Sequence, residues 1–420
     1  MIFIYNLAIF FYVFVIRIAS LLGNAKASLW ITGRKNWKEK IKTFKKRDDK
    51  TFWFHCSSLG EFEQGRPLIE EFRKHFPSSN IILSFYSPSG YEIRKNYEYA
   101  DLVCYLPSDT KKNANYFIDT LKPDQAFFIK YDYWYHFLSV LHEKNIPSFI
   151  VSGIFRKQQS FFKWYGTFSR KMLGCVKHFF VQDINSGTLL QSLGLFNFTI
   201  SGDTRFDRVV KNVSAANRSE IIESFKGNSY LLVCGSTWPA DEQIICEALM
   251  HLDKENLKLI IAPHEISDQR VQQIINTISK YLPEIKVVVY SNKDSDTIED
   301  AKILILDTMG QLASVYGYGS FAYVGGGFNK GIHNTLEPAA FALPLIFGPE
   351  HSKFREANEL IREGAAFVVR TDTELALILD TFSKQKNFIK GAGKAASEYV
   401  QKNTGATQKI MDFLINQKNN

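Results

Sequence analysis

The stretch Tyr323-Val-Gly-Gly-Gly-Phe-Asn-Lys-Gly-Ile-His-Asn-Thr-Leu-Glu337-Pro-Ala-Ala-Phe-Ala-Leu-Pro-Leu-Ile-Phe-Gly-Pro349 decides how the rest of the chain reads. An apolar run ends on Gly325-Gly326-Gly327, and a second apolar run, Leu345 to Phe347, follows a helix-forming segment. That order predicts a buried strand, a glycine turn, a short helix and a strand, the unit from which parallel sheets are built. Without a Cβ, Gly325, Gly326 and Gly327 let backbone N–H groups approach a ligand closely. A helix over His333 to Phe341 turns its positive end toward the loop, so the site suits a nucleotide phosphate. His333 and Asn334 then stand at the helix start. Glu337, a turn further on, is placed to accept hydrogen bonds from ribose hydroxyls.

Similar units recur outward from this stretch. Tyr230 to Cys234, Leu257 to Ala262, Ile285 to Tyr290, Ile303 to Leu306 and Ala366 to Val369 read as further strands with helices between them. A first series precedes it: Thr51 to Ser57, Ile81 to Phe85, Ala100 to Leu106, Gln125 to Ile129, Ser148 to Val151 and His178 to Val181. Strands alternating with helices imply parallel sheets covered on both faces. A length of 420 residues accommodates two such domains. The spacing predicts a hinge near Val209 to Asn217, and a terminal helix over Ala395 to Asn416.

Several strand ends carry candidate chemistry, because α/β sheets place ligands there. Ser57-Ser58-Leu59-Gly60-Glu61-Phe62-Glu63 follows the first strand. On spacing alone Glu61 complements a helix dipole; a carboxylate here is also the usual base for a sugar hydroxyl. Glu63 reads as a solvated helix residue. Gly235-Ser236-Thr237-Trp238 offers small residues for a phosphate or sugar carboxylate, with Ser236 or Thr237 as an N-cap in the rival reading. Pro263 and His264 end the next strand. Asp307-Thr308-Met309-Gly310 ends another, with Met309 and Leu312 readable as core. In Gly202-Asp203-Thr204-Arg205-Phe206-Asp207, the guanidinium fork of Arg205 matches a carboxylate or phosphate; an ion pair with Asp207 is the equal alternative. No H-E-x-x-H, Walker A or zinc spacing occurs. Asp294-Ser295-Asp296 has the D-x-D form but sits in a charge-rich turn that reads as solvated.

Hydrophobic residues make up 45% of the chain, and its net charge is +8. The first excludes a disordered chain; the second points to an acidic partner, whether nucleic acid, anionic membrane or anionic substrate. Five scattered cysteines form no C-x-x-C pair and fit a reducing cytoplasm. Ile2 to Leu22 is almost wholly apolar, interrupted by Asn6, Arg17 and Ser20. Ala25-Lys26-Ala27 has the A-x-A form of a signal-peptide cleavage site, but no Lys or Arg precedes the apolar run. The expectation is an uncleaved membrane anchor. Arg34, Lys35, Lys38, Lys40, Lys42, Lys45, Lys46 and Arg47 follow it. They place the body on the cytoplasmic side of the membrane, against anionic headgroups or an anionic lipid.

The run G-G-x(n)-H-N-x-L-E-P-A-A-x-x-x-P-x-I-F-G-P, with S-L-G-E at Ser58–Glu61 and D-T-M-G at Asp307–Gly310, resembles the 3-deoxy-D-manno-octulosonic acid (Kdo) transferases of Gram-negative bacteria. The resemblance implies a GT-B type architecture: two Rossmann-like α/β domains facing a cleft, with an N-terminal membrane-anchor helix. Residues 1–30 would be the anchor, 31–208 the acceptor-binding domain, 209–394 the nucleotide-sugar domain, and 395–420 a helix crossing back to the first. It implies Kdo transfer from CMP-Kdo to the lipid A precursor in lipopolysaccharide synthesis, at the cytoplasmic face of the inner membrane, with membrane lipids but no nucleic acid as partners. Glu61 falls on the family's catalytic base. Gly235, Ser236, Thr237, Pro263, His264, Met309, Gly310, Gly326, Gly327, His333, Asn334 and Glu337 fall on its donor site. Arg205 falls where the donor's carboxylate or phosphate would be held, and Ser58, Gly60, Ser89 and Arg156 on the acceptor side. A monophosphate leaving group needs less neutralisation than a diphosphate, so no metal or other cofactor is expected. The chain departs from the family at Trp238, where His is common, before His264, where Arg is usual, and at Lys130, where the first Glu of E-T-E-x-W stands. A UDP-sugar transferase or epimerase of the same architecture, or a non-catalytic lipid- or nucleotide-binding protein, are the alternatives.

Overall fold

The computed structural model describes residues 1–215, 218–252, 256–292, 298–329 and 331–416. They form two compact units, Met1–Arg208 with Thr404–Asn420, and Val209–Asn403. The D-x-D residues Asp294 and Asp296 lie outside the described residues.

The first unit holds β1 (Thr51–Cys56), β2 (Asn80–Phe85), β3 (Leu102–Tyr105), β4 (Gln125–Ile129), β5 (Ser148–Gly153), β6 (His178–Val181) and β7 (Phe198–Ile200). They form one parallel sheet in the order β3-β2-β1-β4-β5-β6-β7. Every residue of β1 is buried, as befits a parallel strand covered on both faces. Phe54, Phe127 and Phe149 stack in register across β1, β4 and β5, with centroids 4.8 and 5.2 Å apart. Each is fully buried, a burial that contributes about 1.5–3 kcal/mol per ring. Helix Leu59–His75 carries Glu61 in its first turn and Arg73, Lys74 and His75 in its last, matching its dipole at both ends.

The second unit holds β8 (Tyr230–Thr237), β9 (Leu257–Pro263), β10 (Val287–Val289), β11 (Ile303–Ile305), β12 (Phe321–Val324), β13 (Leu345–Phe347) and β14 (Ala366–Val368). Its parallel order is β10-β11-β9-β8-β12-β13-β14. In each sheet the chain winds outward in both directions from a central point, between β1 and β4 in one and between β8 and β12 in the other. Crevices at the carboxyl ends of strands flanking such a point are where doubly wound sheets bind ligands.

The unit boundary falls between Arg208 and Val209, where the predicted hinge begins, and helix Thr204–Ser214 runs through it; Ala216 and Asn217 lie outside the described residues. Two expectations are corrected. The stretch 395–416 is not one helix. Helix Lys386–Lys402 belongs to the second unit and helix Ala406–Asn416 to the first, with Gly405 at φ +94° in the break. The cause of the break lies in the fold. Asp207 accepts the N–H groups of Gly405 (2.5 Å) and Thr407 (2.7 Å) and the Thr407 hydroxyl (2.7 Å), capping the last helix from another element. That helix buries Ile410, Met411 and Leu414 in the core around Phe72 and Phe180. Glu63 is also not solvated; it pairs with Arg94 and Arg208.

The apolar N-terminal helix, Ile2–Leu21, is the one described helix long and apolar enough to cross a membrane, with mean hydropathy 2.2. It nevertheless lies along the first unit. Tyr5, Ile9, Val13, Ile16 and Ser20 form a half-buried stripe, Val13 and Ile16 against the core. The Tyr5 hydroxyl donates to Asp109 at 2.5 Å, and His136 Nε2 meets Asn6 Oδ1 at 2.6 Å. Ser20 and Ser28 hydroxyls meet at 3.0 Å at the other end. The opposite face exposes Phe3, Leu7, Phe10, Phe14 and Ile18.

Replacing Asp207 removes three hydrogen bonds from one helix end. Asp207→Ala is expected to lower unfolding stability of the detergent-solubilised protein by about 2 kcal/mol and to speed amide exchange in residues 406–416 first. Urea unfolding with hydrogen-exchange mass spectrometry checks both.

Candidate active site

In the first unit the switch point gathers residues from the ends of β1 and β4. Ser58 opens helix Leu59–His75, but its hydroxyl makes no bond to the helix N–H groups. It donates instead to the Glu61 carboxylate. The S-x-x-E pattern of a capping box has thus become a side-chain pair at the mouth of the strand, with Gly60 exposed between its members. Beside it, Ser57 donates its N–H (3.0 Å) and its hydroxyl to the carboxylate of Asp132, which follows β4. Burial pushes the Asp132 carboxyl up from 3.8 to about 8, aided by the Glu61 charge and opposed by the Ser57 bonds. Behind it, Trp134 Nε1 donates to His55 Nε2 at 3.0 Å, and His55 Nδ1 meets Ser84 Oγ at 2.8 Å. An indole N–H only donates, so His55 carries its proton on Nδ1 and is neutral. Burial lowers its pKa to about 3.

The other residues of this unit are more scattered. Exposed Ser89 sits next to the N-cap Ser87, their hydroxyls 2.9 Å apart. Arg156 lies with its guanidinium carbon 6.0 Å from the Tyr131 ring centroid. Arg205 pairs with Asp203 through Nε (2.9 Å) and a terminal nitrogen (2.7 Å), not with Asp207, whose carboxylate caps the last helix. Burial opposes ionisation of Asp203, but the Arg205 pair outweighs it and holds the carboxyl below its usual range.

In the second unit the loops after β8 and β12 meet. The glycines serve close backbone packing. A Cβ on Gly325 would stand 2.3 Å from Ser236 O, and one on Gly327 2.5 Å from Gly348 N; Gly326 has φ +93°. Gly325 N–H donates to Gly235 O at 2.9 Å and Gly326 N–H to Asp241 at 2.8 Å. Two of the three N–H groups expected to face a phosphate are therefore used inside the protein. The helix is also shorter than predicted, Leu336–Ala340, so His333 and Asn334 lie on the turn before it. Asn334 Oδ1 accepts Leu336 N–H at 3.1 Å, and Glu337 is the second helical residue.

β8 runs on to Thr237, with Ser236 at φ +55° where the register with β9 shifts. Neither Ser236 nor Thr237 is the N-cap; Trp238 holds that position before helix Pro239–Met250. The Thr237 hydroxyl donates to Glu242 at 2.8 Å. Gly235 packs so tightly on Tyr316 that a Cβ would fall 1.9 Å from its hydroxyl. Pro263 ends β9, and His264 N–H donates to Thr237 O at 3.0 Å. The His264 ring stacks on His333 (4.2 Å) and on Trp238 (4.9 Å), and Trp238 Nε1 donates to His333 Nε2 at 2.9 Å. Met309 is exposed, not core, beside Gly310 at φ +84°.

Three functional candidates escaped the sequence reading of the site. Asp132 stands in Lys130-Tyr131-Asp132-Tyr133-Trp134, a segment read in the sequence for Lys130 alone. Thr308 and Thr335 carry buried hydroxyls with no hydrogen-bond partner, a state that points to a partner supplied from outside the chain. Their signal was adjacency, since Thr308 precedes Met309 and Thr335 follows Asn334. Among the described residues no group of three or more His, Cys, Asp or Glu has the arrangement to hold a metal ion.

Two doubly wound parallel sheets with loops converging at their switch points define a glycosyltransferase fold of the GT-B type. The chain resembles in fold the crystal structure of UDP-GlcNAc 2-epimerase from Neisseria meningitidis bound to UDP-GlcNAc, with TM-score 0.63, 12% identity and coverage of 88% of this chain and 100% of that one. Residues 35–208 match the family model for 3-deoxy-D-manno-octulosonic-acid transferase (kdotransferase). The chain is 25% identical over 393 residues to the 3-deoxy-D-manno-octulosonic acid transferase of Rickettsia bellii, covering 90% of each. It is 28% identical over 370 residues to a bifunctional glycosyltransferase/methyltransferase of Fusobacterium nucleatum, covering 83% of this chain and 57% of that protein's length. The chain is thus similar to Kdo transferases over most of its length, and its residues 35–208 match their family model.

The raised pKa of Asp132 makes stability depend on pH in a direction opposite to most carboxylates. The folded state holds this proton more tightly than the unfolded chain. The folded protein is therefore penalised as pH rises from about 4, the unfolded value, to about 8. Asp132→Asn keeps an acceptor for Ser57 N–H and removes the titration. Thermal scans are expected to show a flatter fall in Tm between pH 5 and 8 in the variant, on the order of several degrees at pH 8.

Proposed function

We propose that this protein transfers Kdo from CMP-Kdo to a hydroxyl of the lipid A precursor, at the cytoplasmic face of the inner membrane. The observation that carries this reading is the Ser58–Glu61 pair at the switch point of a chain similar to Kdo transferases over most of its length. In this reading Glu61 takes the proton of the acceptor hydroxyl as its oxygen bonds to the anomeric carbon. The bond from that carbon to the CMP phosphate oxygen breaks, and CMP leaves with the electron pair. The transition state is oxocarbenium-like and the configuration inverts. The Ser58 hydroxyl orients the carboxylate before the acceptor arrives.

The donor nucleotide belongs to the second unit, at the ends of β8, β9, β11 and β12. His333, the turn at Asn334–Thr335 and the buried hydroxyls of Thr308 and Thr335 supply donors there. Gly326 and Gly327 contribute by letting the backbone loops close on one another. The leaving group's charge is met by polar groups and basic side chains, with no metal ion in the reaction. Arg205, held by Asp203, and Arg156 beside Tyr131 are cations for the carboxylate or phosphates of the substrates.

The N-terminal helix anchors the enzyme by lying in the membrane interface. Support comes from its two-sided construction. Its first turn is hydrogen-bonded to Asp109 and His136 of the folded domain, and its last turn to Ser28. A spanning helix would carry that first turn about 30 Å away across the bilayer. The outward row Phe3, Leu7, Phe10, Phe14 and Ile18 is the face a monotopic protein sinks into the acyl boundary.

CMP release from CMP-Kdo by the detergent-purified protein is expected to depend on lipid A precursor, with a Kdo-sized mass gain on the lipid. Glu61→Gln is expected to lower this transfer by about 10²–10⁴-fold while leaving CMP binding intact. A folded, CMP-binding protein without acceptor-dependent release would reject the acceptor. Spin labels at Phe3→Cys, Phe10→Cys and Leu21→Cys in vesicles test the anchor. All three are expected at one shallow depth, within about 10 Å of the headgroups; a graded series through the bilayer centre would establish a spanning helix.

A further inference from the structure

We infer that Trp238 is a positioning residue that fixes the proton of His333 on Nδ1 and keeps the ring neutral. The indole nitrogen can only donate, and its N–H meets His333 Nε2 at 2.9 Å. That nitrogen must therefore present a lone pair. The single ring proton then sits on Nδ1, which has no hydrogen-bond partner among the described residues. The stack fixes the ring plane, and a half-turn flip within that plane would turn a ring carbon to the indole N–H and lose this bond. The Trp238 and His333 planes lie within 12° of each other, and His264 stacks against His333 at 4.2 Å and 21°. His333 N–H is also tied to Gly325 O at 3.1 Å.

Trp238 is itself fixed. Its backbone N–H donates to Asp241, the carboxylate that also receives Gly326 N–H and the Tyr323 hydroxyl. The indole, the imidazole and the glycine loop thus share one anchor. Among the described residues the titratable group whose charge acts on His333 is His264; protonation of either ring opposes the other. Burial, then the His264 charge, lowers the His333 pKa to about 4.

The consequence rests on the donor site proposed above. His333 offers the nucleotide phosphate a neutral, directed Nδ1–H donor across the physiological range. A His in place of Trp238, as the family commonly has, accepts as well as donates and would leave the His333 tautomer open.

The test reads the imidazole directly. In ¹⁵N-histidine-labelled full-length protein in detergent, long-range ¹H–¹⁵N correlation is assigned for His333 by its loss in His333→Asn. It is expected to show the Nδ1–H tautomer unchanged from pH 5.5 to 8. An Nε2–H tautomer, or titration in that range, would overturn the inference without any variant at position 238. Trp238→Phe keeps the stack and deletes the N–H; His333 is then expected to populate both tautomers. An unchanged His333 signal in that variant would likewise overturn the lock. The same samples give the affinity for CMP. Trp238→Phe is expected to bind CMP about twofold more weakly, because only part of its population then presents Nδ1–H. A locked tautomer in a protein that does not bind CMP would reject the donor site and leave the lock standing.

Discussion

The second unit depends on one buried carboxylate. Asp241 stands at the start of the helix after β8 and accepts hydrogen bonds from Trp238 N–H, Gly326 N–H and the Tyr323 hydroxyl. Two of these partners belong to β12 and its loop. The bonds therefore tie the helix after β8 to β12 and its loop, across the point at which the sheet changes direction and alongside the end of the β8–β12 ladder. Burial pushes the Asp241 carboxyl up even against these three bonds, which shows how far it has been withdrawn from water. The first unit has a parallel solution. Asp132, after β4, accepts two bonds from Ser57, after β1, again across the switch point. In both units a crevice that the fold must leave open is braced by an acid from one side and small donors from the other.

This bracing explains what the sequence could and could not reveal. The central strands were legible because they are buried on both faces, and such strands are continuous apolar runs. β7 was not, since Phe198, Thr199 and Ile200 are only partly covered at the sheet edge. The glycine run was legible as a close approach, but not its object. Whether a glycine N–H faces a ligand or a neighbouring carboxylate depends on Asp241, more than eighty residues away in the chain. Likewise β8 outruns its apolar stretch by three residues because Gly235 and Thr237 pair with β9 around a positive-φ Ser236. The pairing partner of Arg205 was decided by what else claims Asp207, namely the first turn of the last helix. Ser58–Glu61 was legible as a pattern, yet the local rule predicted a capping box where the structure has a hydroxyl on a carboxylate.

The N-terminal helix presents the opposite problem. Both of its faces are apolar, so hydropathy sees a uniform cylinder of membrane length. Asn6, Arg17 and Ser20 break the uniformity, and Asn6 and Ser20, with Tyr5, bond to the rest of the first unit. A uniformly apolar helix is what two apolar environments produce together, a protein core on one side and acyl chains on the other. The polar residues within it are informative through their partners, and Asp109 and His136 lie more than a hundred residues away.

The two units also share a way of keeping histidine neutral inside a candidate site. Trp134 donates to His55 Nε2 in one and Trp238 to His333 Nε2 in the other. The environments differ: His55 is wholly buried and donates its Nδ1–H to Ser84, whereas His333 is half-buried and its Nδ1 has no partner among the described residues. In the first case the bond completes a closed network, so the pair is structural. In the second it leaves one donor over at a strand end where Thr308 and Thr335 also carry unsatisfied hydroxyls. A set of neutral donors left without acceptors among the described residues is chemically suited to an anion. The charge such a site offers does not change as the imidazole would ordinarily titrate, so selectivity must come from direction and spacing of the donors rather than from net charge.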